Sequence, residues 1–165
     1  MTQSKAILFS FGVAAIVAAG LYAYANPASD IPYPAGYRKW ARVKTVVVGS
    51  QSPAFKANGG IHHIYANSKA VDGYETGKFP DGAVLVFDIL DVQENQGTTV
   101  EGARQRIDVM VKDAQRFAAT GGWGFERFAG NSQTDRPLTE EIRGSCFTCH
   151  EQRKSHDLVF SEFSK

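Results

Sequence analysis

Sulfur and surplus charge are what this chain has least of. Its 165 residues include two cysteines and two methionines, too few sulfurs for the disulfide frameworks that stabilise small secreted scaffolds. Lys and Arg total 18 against 17 Asp and Glu, so there is no cationic surplus for a polyanion and nucleic acid is not an expected partner. No internal repeat or low-complexity tract is visible, which sets aside solenoids and compositionally driven disorder. Histidine is also scarce, at four residues. What is present, 43% hydrophobic and 21% charged residues, is the composition of one globular domain of ordinary size.

One long apolar run exists, at the N-terminus. Residues 6–25, AILFSFGVAAIVAAGLYAYA, carry no charge and follow Lys5, the layout of an export signal. Ala23-Tyr24-Ala25 has the small-x-small form that signal peptidase reads, so cleavage before Asn26 is expected; the run is also long enough to be retained as a membrane anchor. Either way everything after Asn26 is expected outside the cytoplasm, in the periplasm. Contact with a membrane is expected only if the run is kept.

Residues 26–36 hold Pro27, Pro32, Pro34 and Gly36, a composition that sustains neither helix nor central strand and reads as an extended tether to a domain over 37–165. From there Val43, Thr45 and Val47 alternate with Arg42, Lys44 and Val46, the period of a strand with one buried face. Residues 61–66 read as a second strand, and Asn67 as the cap of a short helix over 68–76 closed by Gly77. Pro80-Asp81-Gly82 is a turn, and the apolar stretch 83–92 is the strongest strand, expected at the centre of a sheet. A loop is expected over 95–102, a strand over 104–112, a short helix over 113–119 and a last strand through Phe128. A helix opens at Thr139. The class is α+β, predominantly antiparallel sheet with a few short helices.

The chemistry lies at Cys146-Phe147-Thr148-Cys149-His150. CxxCH is the attachment signature of c-type haem. On a helix Cys146 and Cys149 share a face, so both sulfurs reach the two vinyl groups along one porphyrin edge, and His150, four residues from Cys146, shares that face as the proximal iron ligand. Three alternatives are weaker. Structural zinc wants four nitrogen or sulfur ligands, with only His62, His63 and His156 as distant helpers. A thioredoxin-type dithiol opens a helix after the first strand of a βαβ unit, whereas this pair sits near the end of a strand-rich chain. A plain disulfide of an exported protein explains the cysteines and leaves His150 unused. The expected cofactor is one covalently bound haem c with its iron.

Function turns on the sixth iron position. An electron carrier wants a second strong ligand there, methionine or histidine. Met110 is the one methionine after the apolar run, and a Met packed in the sheet is the simpler reading of it. His62 and His63 are adjacent in a strand, so at most one faces the haem. With none of these bound, the iron is five-coordinate and open to NO, CO or a related nitrogen oxide. Phe55, Phe79, Phe87, Phe125 and Phe128 are candidates for an apolar distal wall or, individually, for ordinary core. Glu126, Asp88 and Asp91 are the candidate proton-transfer carboxylates, with a solvated surface position as the default for each.

Taken in order, Tyr37-Arg38-Lys39-Trp40, Ile64-Tyr65-Ala66-Asn67, Thr76-Gly77-Lys78-Phe79-Pro80-Asp81-Gly82, Lys112-Asp113 with Arg116-Phe117, Gly122-Trp123-Gly124-Phe125 and the late CxxCH with Asp157-Leu158-Val159-Phe160-Ser161 resemble the cytochrome P-460 family. The resemblance covers nearly the whole chain after the apolar run. It implies a strand-rich fold, one haem c with a histidine proximal ligand, an often vacant distal site and commonly a homodimer. The family includes hydroxylamine-oxidising members and the gas-binding cytochromes c′-β. The oxidising members carry a lysine linked to the porphyrin shortly before their TG-x-F-x-DG motif. Tyr74 and Glu75 stand directly before Thr76-Gly77, and Lys69 and Lys78 fall elsewhere, so the chain looks more like the gas-binding side of the family. The leading expectation is a protein that binds NO or a related small nitrogen species, with or without redox turnover. An electron-transfer cytochrome with a redox partner and a hydroxylamine-oxidising enzyme are the alternatives.

Overall fold

The structure is a computed structural model describing residues 31–163; the apolar run over 6–25 and residues 26–30 of the expected tether lie outside the described residues. Its frame is a five-stranded antiparallel sheet in which each strand pairs with the next in sequence, in the order β1-β2-β3-β4-β5. The strands are β1 (Ala41–Val48), β2 (Gly60–Ala66), β3 (Val84–Asn95), β4 (Thr98–Lys112) and β5 (Trp123–Ala129). Three helices join or follow them, α1 (Phe55–Asn58), α2 (Ser68–Thr76) and α3 (Glu140–His150). The α+β class and the sheet-dominated architecture agree with the sequence reading.

Local chemistry explains the elements that matched. The Asn67 side chain accepts from the Ala70 N–H at 2.9 Å, and Gly77 closes α2 at φ 75°, a left-handed conformation that costs glycine nothing. β3 occupies the middle of the sheet, flanked by β2 and β4, which is why its apolar run is nearly continuous.

Four expectations need correction. Residues 95–102 form no loop: β3 and β4 continue as a hairpin turned at Gln96 (φ 48°) and Gly97 (φ 79°). That arm is exposed along most of its length, so it has no buried face and leaves no period-two hydrophobic trace. Residues 113–119 make turns and a short 3-10 segment. One helical bond forms, from the Phe117 N–H to the Asp113 carbonyl at 3.0 Å, but Phe117 itself leaves helical geometry at φ −112° and ψ 33°, and Gly121 and Gly122 follow in the left-handed region. β1 is an edge strand in which Val43 is buried but Val47 is 58% exposed, so its alternation does not mark one buried face. Finally, the chain docks before residue 37. Ile31 is fully buried, Arg136 donates to its carbonyl at 2.8 Å, and Tyr33 meets Phe128 edge to face.

The two faces of the sheet bury separate clusters. One face, with Tyr65, Val86, Ile107, Val109 and Phe128, is covered by Ile31 and Tyr37. The other carries Ile64, Leu85, Trp123 and Phe125 and is packed by α2, by Phe79 and by Leu158 and Val159 from the C-terminal segment. Among the described residues no helix is long and apolar enough to cross a membrane.

Candidate functional site

Strand register lays out the floor of the site. Ile64, Phe87, Asp108 and Arg127 pair across four strands in one row, and Ala66, Leu85, Met110 and Phe125 form the next row on the same face. Above these rows stands α3, capped by Thr139, whose hydroxyl accepts from the Ile142 N–H at 3.3 Å, with Glu140 and Glu141 in the first turn where the helix dipole favours anions. The space between sheet and helix is a cavity of about 340 Å³, within the roughly 300–1,000 Å³ range of small-molecule sites. Its lining is mainly apolar, with Ile64, Leu85, Phe87, Met110 and Phe125 from the sheet, Leu138, Val159 and Phe160 from the segments flanking the helix, and Cys146, Cys149 and His150 from the helix; Asp108, Glu126, Arg127 and Ser161 are its polar members.

The helix is held by charge at its near end. Glu126 projects from β5 with no solvent exposure, and its two carboxylate oxygens accept from Arg143 Nη2 at 3.3 and 3.1 Å, with Arg136 Nη1 at 3.6 Å. Further along the floor, Asp108 takes two hydrogen bonds from Arg127, at 2.5 and 2.9 Å, and one from Arg106 at 3.2 Å. No residue of α3 itself is buried, because its inner face borders the cavity.

His150 is oriented by a backbone carbonyl. Its Nδ1 lies 2.7 Å from Leu158 O, and since a carbonyl only accepts, Nδ1 carries the proton and Nε2 keeps its lone pair. Burial lowers the imidazole pKa, with the Leu158 bond and Asp108 opposing, so the ring is neutral and able to ligate. Phe125 and Phe160 flank it at 5.2 and 5.0 Å between ring centroids. Burial also raises the Cys146 thiol above its usual range, keeping it a thiol. The two sulfurs are unpaired.

These residues fit a haem. Two thiols and a single oriented imidazole converge on one apolar cavity, which is what a flat apolar macrocycle needs when it brings four nitrogen ligands of its own. Among the described residues no three His, Cys, Asp or Glu side chains converge as a bare metal ion would require.

The other sequence candidates are distributed. Met110 lines the cavity. His63 points to the opposite face, with Nδ1 2.9 Å from the Thr45 hydroxyl and Nε2 2.5 Å from Glu101. His62 is on the cavity face one row further, paired with Ile89 and edge-on to Phe87 at 4.8 Å, but it does not line the cavity. Phe79 is core, packed on Tyr74 and Trp123. Of the other phenylalanines, Phe87 and Phe125 line the cavity, Phe128 packs on the far face and Phe55 is exposed. Lys69 and Lys78 are exposed, and no lysine lines the cavity.

Two carboxylates expected at the surface are buried. Glu126 is the anchor of α3, and Asp88 is held on the far face by Arg104, at 2.6 and 3.1 Å, and by the Tyr37 hydroxyl at 2.7 Å. Their burial depends on arginines 16 and 17 residues away, which no local pattern reveals. The Leu158 carbonyl was missed for a related reason: a backbone acceptor has no residue signature.

His62 supplies a pH-dependent prediction. Burial lowers its pKa below the ordinary 6.5, partly offset by a backbone hydrogen bond at Asn58, and its Nε2 has no partner. The unfolded chain therefore takes up this proton at a higher pH than the folded one, so stability is full above about 6.5 and falls as pH drops through it. Replacing His62 by Phe is expected to flatten that fall, read as the denaturation midpoint between about pH 7 and 5. An unchanged slope would place the titration elsewhere.

A family model described as Cytochrome P460 matches residues 34–161. No match to a curated protein was found.

Proposed function

The chain belongs to the cytochrome P460 family, and on that footing we propose that it is an exported mono-haem c-type protein that binds NO or a related small nitrogen species at a five-coordinate iron. Cys146 and Cys149 hold the haem by thioether bonds and His150 Nε2 is the proximal ligand. The observation that carries the reading is the composition of the cavity: beside His150 its lining contains neither a second histidine nor a lysine, and it is mainly apolar, with Asp108, Glu126, Arg127 and Ser161 as its polar members. The haem supplies an iron that changes oxidation state by one electron and accepts a small ligand. The protein's own part is to exclude water with Ile64, Leu85 and Phe87, to keep His150 neutral and aimed, and to admit a small uncharged molecule. The missing cavity lysine favours binding over a lysine-linked, hydroxylamine-oxidising centre.

A second reading rests on Met110. Its thioether is in the cavity lining, and as a sixth ligand it would make the protein a six-coordinate electron carrier for a redox partner. One experiment separates the two. The ferrous protein is expected to show a broad high-spin spectrum that shifts on adding CO or NO. Sharp low-spin bands indifferent to both gases, becoming high-spin in M110L, would support the electron carrier and defeat the proposal.

A further inference from the structure

The carbonyl that orients His150 sits in an unusual piece of backbone. Asp157 and Leu158 are both left-handed, at φ 48° and 65°, a conformation that non-glycine residues adopt in succession only when surroundings force it. Asp157 is what the surroundings grip. Its Oδ2 accepts from the Phe79 N–H at 2.9 Å, its Oδ1 from Lys112 Nζ at 2.7 Å, and its backbone carbonyl from Trp123 Nε1 at 2.8 Å. Lys112 is itself pinned by the Gly121 carbonyl at 3.1 Å and lies over the Trp123 ring at 5.1 Å. Leu158 then buries its side chain in the core and presents its carbonyl to His150 Nδ1.

We propose that Asp157 is a positioning residue for the proximal histidine: by locking this double left-handed turn to α2's following loop, β4 and β5, it holds the Leu158 carbonyl on Nδ1 and thereby sets how strongly Nε2 donates to iron. An Nδ1–H bonded to a fixed acceptor makes the imidazole a better donor, and such outer partners govern ligand strength as well as orientation. Asp157 does not line the cavity, and the bond to the imidazole comes from Leu158, so Asp157 acts through Leu158. The inference rests on the haem reading above.

The test is resonance Raman and redox titration of the haem-loaded protein. In D157A the ferrous iron–histidine stretching band is expected to move to lower frequency and the reduction potential to rise, because a weaker donor disfavours the ferric state. D157N keeps the tolerance for a left-handed backbone and one acceptor oxygen but loses the charge facing Lys112, so an intermediate shift is expected. D88N, which disturbs the far face, should lower stability and leave the band in place. A wild-type band and potential in D157A, or in D157N should D157A not fold, would reduce Asp157 to a structural role and overturn the proposal. So would an equal shift in D88N. Absence of any iron–histidine band in the wild type would instead defeat the five-coordinate haem reading.

Discussion

Protein in which Cys146 and Cys149 are both replaced by alanine is expected to surrender all of its haem to acidified organic solvent, whereas the wild type keeps it. The two sulfurs are the sole covalent tethers the geometry offers, three residues apart on α3 and both facing the cavity. Each single replacement should leave one thioether and so retain the pigment. Binding without tethers would rest on the apolar walls and on the His150 bond, neither of which survives denaturation. Haem content before and after extraction, by absorbance, is the measurement. Retention of colour by the double variant would mean that another side chain forms the link.

Glu126→Ala is the substitution expected to cost most stability. The carboxylate is wholly buried and faces Arg143, whose side chain is 12% exposed. Removing one partner of a buried pair leaves the other charge uncompensated, at a cost of about 3–5 kcal/mol, a large share of the roughly 5–15 kcal/mol that holds a domain folded. Arg143 keeps Glu140 at 3.0 Å, but that carboxylate is 63% exposed, and an exposed pair contributes at most about 1 kcal/mol. Glu140→Ala is therefore the control. The expected result is a large fall in denaturant midpoint for the first variant, with little change for the second. Because Arg143 lies one turn before Cys146, the first variant should also load haem poorly. Equal midpoints would show that Glu126 does not anchor the helix.

Much of this protein is legible in its residues, and the unread part has a common cause. CxxCH, Asn67 with Gly77, and the apolar run of β3 are local signals whose geometry follows from spacing alone. The opposite facing of His62 and His63 follows from strand parity. The β3–β4 hairpin leaves no trace because a solvated arm has no hydrophobic period, and residues 113–119 form no helix because the backbone leaves helical geometry at Phe117. Burial of Asp88 and Glu126, and the turn at Asp157, depend on partners brought together only by the assembled sheet. For the site, the convergence of Cys146, Cys149 and His150 on one cavity could be read directly. The orientation of the imidazole and the composition of the cavity wall could not.

The intact mass of protein made in a host equipped for cytochrome maturation tests the central claim most directly. The expected mass is that of the exported polypeptide plus one haem, with no thiol left to react with an alkylating reagent. A mass equal to the polypeptide alone, with Cys146 and Cys149 both modified by the reagent, would contradict it.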